Sequence, residues 1–293
     1  MADALIVLLQ VFGLLFVVGS MLAMGFSLTL NMIVQPLKDW RLDLLGLIGN
    51  FVIVPAIIIG TGSLLDLPDD VRIGFYILAL AAGAPFLPKL TQFAKGNIAY
   101  AVGLMTMLMV VSIIVLPLVL PLIVEGVKIN PWDVAKPLIF LMLTPLGIAL
   151  FIKQRYPDFA DHAAKLLNSV TTISLFALLF LFFAQFWEQI IDTFGTGTIG
   201  FAIFFIAIAL IIGYLLGGKD QGTKRVSALG TAQRNIAAGI LTATVNFQDR
   251  PMVGVTVLVV SLVGLVMLMI LAGEWGRKKS DEGSIPKKES PVS

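Results

Sequence analysis

Gly83-Ala84-Pro85-Phe86-Leu87-Pro88-Lys89 and Gly230-Thr231-Ala232-Gln233-Arg234-Asn235 are two interruptions of long apolar segments, and each carries a charge. Working outward from them, nine apolar segments are read, at 4–33, 44–65, 73–94, 97–124, 137–152, 166–187, 198–217, 226–247 and 252–273. Lys89 and Arg234 are the only charged residues inside these segments. A charge deep in a bilayer costs about 2.5–3.5 kcal/mol on insertion scales, so it persists where it faces a cavity or a partner. Glycine and proline release backbone groups from helical pairing, which lipid tolerates only where protein or a water-filled cavity satisfies them.

The chain has 293 residues, is 58% hydrophobic and 13% charged, and has a mean hydropathy of +0.98. These proportions exceed what a water-soluble core can bury and predict an all-α, multi-pass membrane protein. There is no cysteine, and the one histidine, His162, lies in a basic stretch read as a loop. Disulfides, Cys-ligated metals and His-built metal sites or triads are thereby excluded. No P-loop, HExxH or paired-carboxylate pattern occurs, so the expectation is a protein that is not an enzyme, with no cofactor and no nucleic-acid partner. Met1-Ala2-Asp3 has no basic n-region, and Ala4 to Leu30 is too long for a signal-peptide core, so this run is read as the first span.

The basic residues are distributed unevenly. Loops after the first, third, fifth and seventh spans, with the C-terminal tail, hold fourteen: Lys38, Arg41, Lys95, Lys153, Arg155, Lys165, Lys219, Lys224, Arg225, Arg277, Lys278, Lys279, Lys287 and Lys288. The other side holds four: Arg72, Lys128, Lys136 and Arg250. The expectation is a cytoplasmic C-terminus and an outside N-terminus, in a plasma or inner membrane. Residues 1–273 are read as one transmembrane transporter domain, with halves at 1–124 and 137–273. Residues 274–293 are read as a disordered cytoplasmic tail.

The interrupted spans are the third and the eighth. An offset of five reverses direction through the bilayer, so the pair has the signature of an inverted repeat with two discontinuous helices crossing at a binding site. Arg234 lies mid-span with no acidic residue in any span to pair with it. It is either a structural cation bonded to carbonyls or an anion-binding group beside a half-helix N-terminus. Lys89, a turn and a half before Lys95, either snorkels to the cytoplasmic interface or lines the cavity, where it could also carry a proton. Gln233, Asn235 and Asn50 are uncharged polar groups deep in spans, and Pro85 and Phe86 form the first break. All seven are candidate substrate-binding residues, with no metal ligand among them. Pro117 and Pro121 are expected to bend the fourth span.

At these positions the chain resembles the bile acid:sodium symporters over nearly its whole length. Met24-Gly25-Phe26-Ser27-Leu28-Thr29-Leu30 is similar to that family's MGxxLTL, and Asn50-Phe51-Val52-Ile53-Val54-Pro55 to its QFxxMP. Gly83 through Asn97 resembles its PGGTASNxxTYLARGN, and Ala232-Gln233-Arg234-Asn235-Ile236-Ala237-Ala238 its MQNSGLA. The resemblance implies a transporter of small organic anions whose core of two crossed broken helices moves against a panel of the remaining helices. Family members usually have ten helices, and the reading here is of nine, the first one missing. The family's sodium ligands are altered. Its key glutamate falls on Leu229, its Ser-Asn pair on Leu87 and Pro88, its QFxxMP glutamine on Asn50, and the Asn after the conserved Gln on Arg234. The expectation is an organic-anion transporter with degenerate sodium sites, with either a proton or sodium as coupling ion. A conventional sodium symporter and a non-transporting receptor or scaffold are the alternatives.

Overall fold

The computed structural model describes residues 2–34, 39–124 and 130–284. Lys38, Lys128, Lys287 and Lys288 of the loop comparison, and 285–293 of the tail, lie outside the described residues. Within them every regular element is a helix: α1 Ala2–Ser27, α2 Leu30–Val34, α3 Trp40–Ile48, α4 Val54–Leu64, α5 Asp69–Leu80, α6 Leu87–Phe93, α7 Ile98–Ile123 and α8 Pro131–Leu138. There follow α9 Thr144–Arg155, α10 Pro157–Gln185, α11 Trp187–Gly195, α12 Thr198–Leu216, α13 Gln221–Ala232, α14 Ile236–Asn246 and α15 Pro251–Ser284.

Among the described residues, seven helices are long and apolar enough to cross a membrane: Val7–Ser27, Trp40–Leu64, Ile98–Ile123, Pro131–Arg155, Pro157–Gln185, Thr198–Leu216 and Pro251–Arg277. The two interrupted segments are absent from that set because each is split into helices of twelve residues or fewer. The sixth segment starts earlier than the sequence reading placed it, at Pro157, and a separate helix, α11, follows it. The last helix continues from Glu274 to Ser284, where the sequence reading began a disordered tail. α7 runs unbroken through Pro117 and Pro121.

Local chemistry sets the helix ends. Asp39, Asn97, Asn130, Asp220 and Asn235 each accept a hydrogen bond from a backbone N–H of the first turn that follows, satisfying donors that a helix start leaves orphaned. Asn130-Pro131 behaves as its sequence suggests, with the asparagine as cap and the proline leading the helix. Before α5, Pro68 occupies the cap position and Asp69 and Asp70 stand in the first turn. Asp70 then pairs with Arg250, at 2.5 Å, tying the start of α5 to the start of α15.

Two membrane helices carry a widened π turn, at Gly49–Ile53 and at Ile139–Leu143. Each stands just ahead of a proline, Pro55 and Pro145. A proline ring clashes with the carbonyl four residues back and offers it no N–H, and an extra residue in the preceding turn relieves both.

α1, α9 and α10 pack chiefly on one another, with Gly25 of α1 closely applied to Ala149 and Leu146 of α9. The remaining long helices surround the two broken ones. α13 lies tight against α12, because Gly213 and Gly217 present no side chain to it. A Cβ on Gly213 would stand 2.4 Å from the Ser227 carbonyl oxygen. Small residues one turn apart allow this backbone approach where lipid supplies no hydrophobic drive for association. α5 and α14 are held from the other side by α15.

Candidate functional site

The first break begins where α5 ends, at Leu80, and runs through Ala81–Phe86. Part of its freed backbone is served by a side chain of α7. The Ser112 hydroxyl of α7 accepts from the Ala82 N–H at 2.8 Å and lies 3.0 Å from the Ala82 carbonyl oxygen. Gly83 turns the chain with φ +80, against the backbone of α7. Pro88 falls in the first turn of α6, where its missing N–H leaves nothing unpaired. The break therefore begins ahead of the Pro85–Pro88 stretch that marks it in the sequence and ends inside it.

The second break is shorter. α13 ends at Ala232, Gln233 is extended, and Asn235 caps α14 by accepting from the Ala238 N–H at 3.1 Å. Gly230 is still helical, and α13 there packs on Leu87, whose methyl would stand 2.9 Å from an added Cβ.

The two breaks meet through Asn235. Its backbone N–H donates to the Ala81 carbonyl at 2.9 Å, and its side-chain Nδ2 donates to the Gly83 carbonyl at 3.1 Å. Asn235 is fully buried, so it caps one half-helix and satisfies two stranded carbonyls of the other. Asn235→Ala is expected to cost about 2–4 kcal/mol from the lost cap and the orphaned carbonyl. Asn235→Asp, which keeps the cap but cannot donate to Gly83, should fall between. Melting of the purified protein in detergent checks the order.

Beside this crossing lies Arg234, 4% exposed. Its Nη1 donates to Asn50 Oδ1 at 3.4 Å, and its guanidinium carbon stands 5.4 Å from the centre of the Phe205 ring. Nε and Nη2 are buried without a hydrogen-bond partner, and so is Oε1 of the neighbouring Gln233. Asn50, in the π turn, donates through Nδ2 to the Gly46 carbonyl at 2.9 Å and to Thr231 Oγ1 at 3.1 Å. A cavity of about 20 Å³ adjoins Gln233 and Arg234, closed by Leu78, Ile206, Ile236 and Ser261 among others. That is room for a water molecule.

The structure thus gathers Arg234, Gln233, Asn235 and Asn50 at the crossing. It does not bring Lys89, Pro85 and Phe86 to the same point. Lys89 is exposed on α6, with its ammonium 5.7 Å from the centre of the Phe93 ring. Phe86 is also exposed, and Pro85 is half-buried. These three form the open face of the first break, while Leu87 and Leu90 form its inward face.

Ser112 and Thr231 hold the site together, and neither stands out in the sequence, where hydroxyls in apolar helices commonly bond their own backbone. Buried Asp43 was missed as well, since it directly precedes the segment read at 44–65. The available signal was its position seven residues before Asn50, on the same face of one helix.

The family described as the sodium bile acid symporter family matches residues 12–193. Among curated proteins, an uncharacterized sodium-dependent transporter, YocS, of Bacillus subtilis (strain 168) is 24% identical over 258 residues, which cover 84% of this chain and 78% of that protein. The probable sodium/metabolite cotransporter BASS1, chloroplastic, of Arabidopsis thaliana is 22% identical over 263 residues, covering 88% of this chain and 65% of that protein's length.

Proposed function

Because the chain belongs to the sodium bile acid symporter family, whose members are membrane transporters and not enzymes, we propose that it moves a small organic anion by alternating access, with Arg234 supplying at the helix crossing the positive charge that sodium brings in its relatives. The observation that carries this reading is the buried guanidinium bonded to Asn50 and flanked by the unpartnered Gln233 oxygen. Hard cations require several oxygen ligands. Here Asn50 Oδ1 already accepts from Arg234, and the residue that the motif resemblance sets against the family's glutamate is the fully buried, apolar Leu229. A sodium ion beside the guanidinium would meet both poor coordination and repulsion.

A resident cation fits an anionic substrate and removes the need for a soluble one. Arg234 acts on the anion through its field and through Gln233 and Asn235, which shape the crossing. The cavity beside it takes water, not an organic acid. We assign direct contact with the substrate to the open face of the first break, where Phe86 and Lys89 are exposed and Pro85 is half-buried. The basic-loop bias supports an orientation with the C-terminus in the cytoplasm.

The relatives' names favour a second reading, sodium symport. Its structural support is Gln233 Oε1, a buried oxygen free to coordinate a cation. Counterflow in proteoliposomes tests the transport claim. A panel of labelled mono- and dicarboxylates is offered to vesicles preloaded with each unlabelled acid. Saturable exchange of at least one acid is the expected result. Ligand-induced thermal stabilisation without any exchange would point to a receptor instead.

A further inference from the structure

Asp43 lies on α3, 7% exposed, with Oδ1 sealed from solvent and without a hydrogen-bond partner. It is a buried carboxyl that the proposed function leaves without a role. Seven residues along the same helical face is Asn50, about 10 Å away at 1.5 Å of rise per residue. Between them runs a file of buried polar groups contributed by α7 and α13. Tyr100 of α7 is buried within electrostatic range of Asp43, and its hydroxyl stands 3.3 Å from Ser227 Oγ of α13. One turn beyond Ser227 is Thr231, bonded to Asn50, which accepts from Arg234. The file thus has a carboxyl at one end and a guanidinium at the other.

Among the described residues, the ionisable surroundings of Asp43 are few. Asp39 acts on it from its own element, where Arg41 also stands. From α7 the nearby titratable group is the Tyr100 hydroxyl, which carries no charge. The end of α12 approaches α3 with uncharged Leu216 and Gly218, and Lys219 and Asp220 beyond it are exposed. Nothing among these is a cation held against the carboxyl. A buried acceptor with no donor is satisfied most economically by a proton.

We propose that Asp43 is a proton-binding site that couples anion movement to the proton gradient. The step is simple: the carboxylate takes one proton at Oδ1 on one side of the membrane and releases it on the other, and no other bond changes. With Asp43 ionised, its charge offsets that of Arg234. With Asp43 protonated, the guanidinium is uncompensated and the core attracts an anion. Proton and anion therefore load together. The coupling rests on the transport reading given above, whereas the proton site itself does not.

Two measurements keep these apart. Difference infrared spectra of the purified protein, titrated with acid alone, should show a carboxylic-acid C=O band that Asp43→Asn removes. If wild type and D43N give the same spectra, the proton site is overturned, whatever is transported. In proteoliposomes with an imposed pH gradient, D43N should lose roughly tenfold or more of the gradient-driven accumulation of an exchanged acid while keeping counterflow. Undiminished gradient-driven accumulation in D43N overturns the coupling role. Loss of counterflow together with accumulation makes Asp43 structural and also overturns it. If wild type exchanges no acid at all, the transport reading fails, and the infrared result alone decides whether Asp43 binds a proton.

Discussion

Arg234→Gln is expected to abolish anion transport while leaving the fold as stable as before, or more so. The guanidinium is buried with one long hydrogen bond and two nitrogens unpartnered. Such a charge stabilises the protein little, because its desolvation cost exceeds what one amide oxygen and one aromatic ring return. Glutamine retains polar reach toward Asn50 and removes the charge. Melting in detergent should therefore be unchanged or raised, while anion exchange falls by about 100-fold or more, the equivalent of about 3 kcal/mol of lost attraction. Arg234→Lys keeps the charge without the planar fork and should retain measurable exchange. If the residue were instead a structural cation, Arg234→Gln would lower the melting temperature and reduce exchange only in proportion to lost protein.

Gly83→Ala should have the largest effect on folding. With φ +80, a side chain there is already strained. The added Cβ would also stand 2.2 Å from the backbone nitrogen of Met109 and 2.7 Å from the Met105 carbonyl oxygen. Backbone on both sides cannot yield as a flexible side chain would. α7 must move away, and the Ser112 bonds to the break and the Asn235 bond to the Gly83 carbonyl are strained with it. A cost of about 4 kcal/mol or more is expected. The measurement is the yield of monodisperse protein after detergent extraction, set beside Ala84→Gly as a control in the same segment. Near-normal yield of Gly83→Ala would show that this tight approach is not what fixes the break.

Much of this architecture is legible in the sequence because lipid restricts the options. Long apolar runs become helices, and the places that violate the rule, at Gly83–Lys89 and Gly230–Asn235, mark the breaks. The residues that close those breaks are harder to read. Whether Ser112 bonds its own helix or reaches Ala82 depends on α7 lying beside the break, which no local pattern encodes. Lys89 shows the same limit. Its sequence position is equally compatible with a cavity and with an interface, and the choice follows from which face of α6 packs inward, set by Leu87 against Gly230. Asp43 escaped because hydropathy changes at the segment boundary, whereas burial there depends on packing by α7 and α12. The departures from the family's motifs at Leu229 and Arg234 are read residue by residue from the resemblance, whereas the contact between Arg234 and Asn50 requires the fold.

The central claim is that a fixed guanidinium has taken over sodium's charge, and sodium replacement tests it most directly. Uptake of an exchanged organic acid into proteoliposomes is measured with sodium outside and again with choline in its place at equal ionic strength and pH. The account predicts the same initial rate in both, at all substrate concentrations. A strong, saturable dependence of the rate on sodium would contradict it and establish the protein as a sodium symporter that coordinates the ion through oxygens other than those displaced by Leu229 and Arg234.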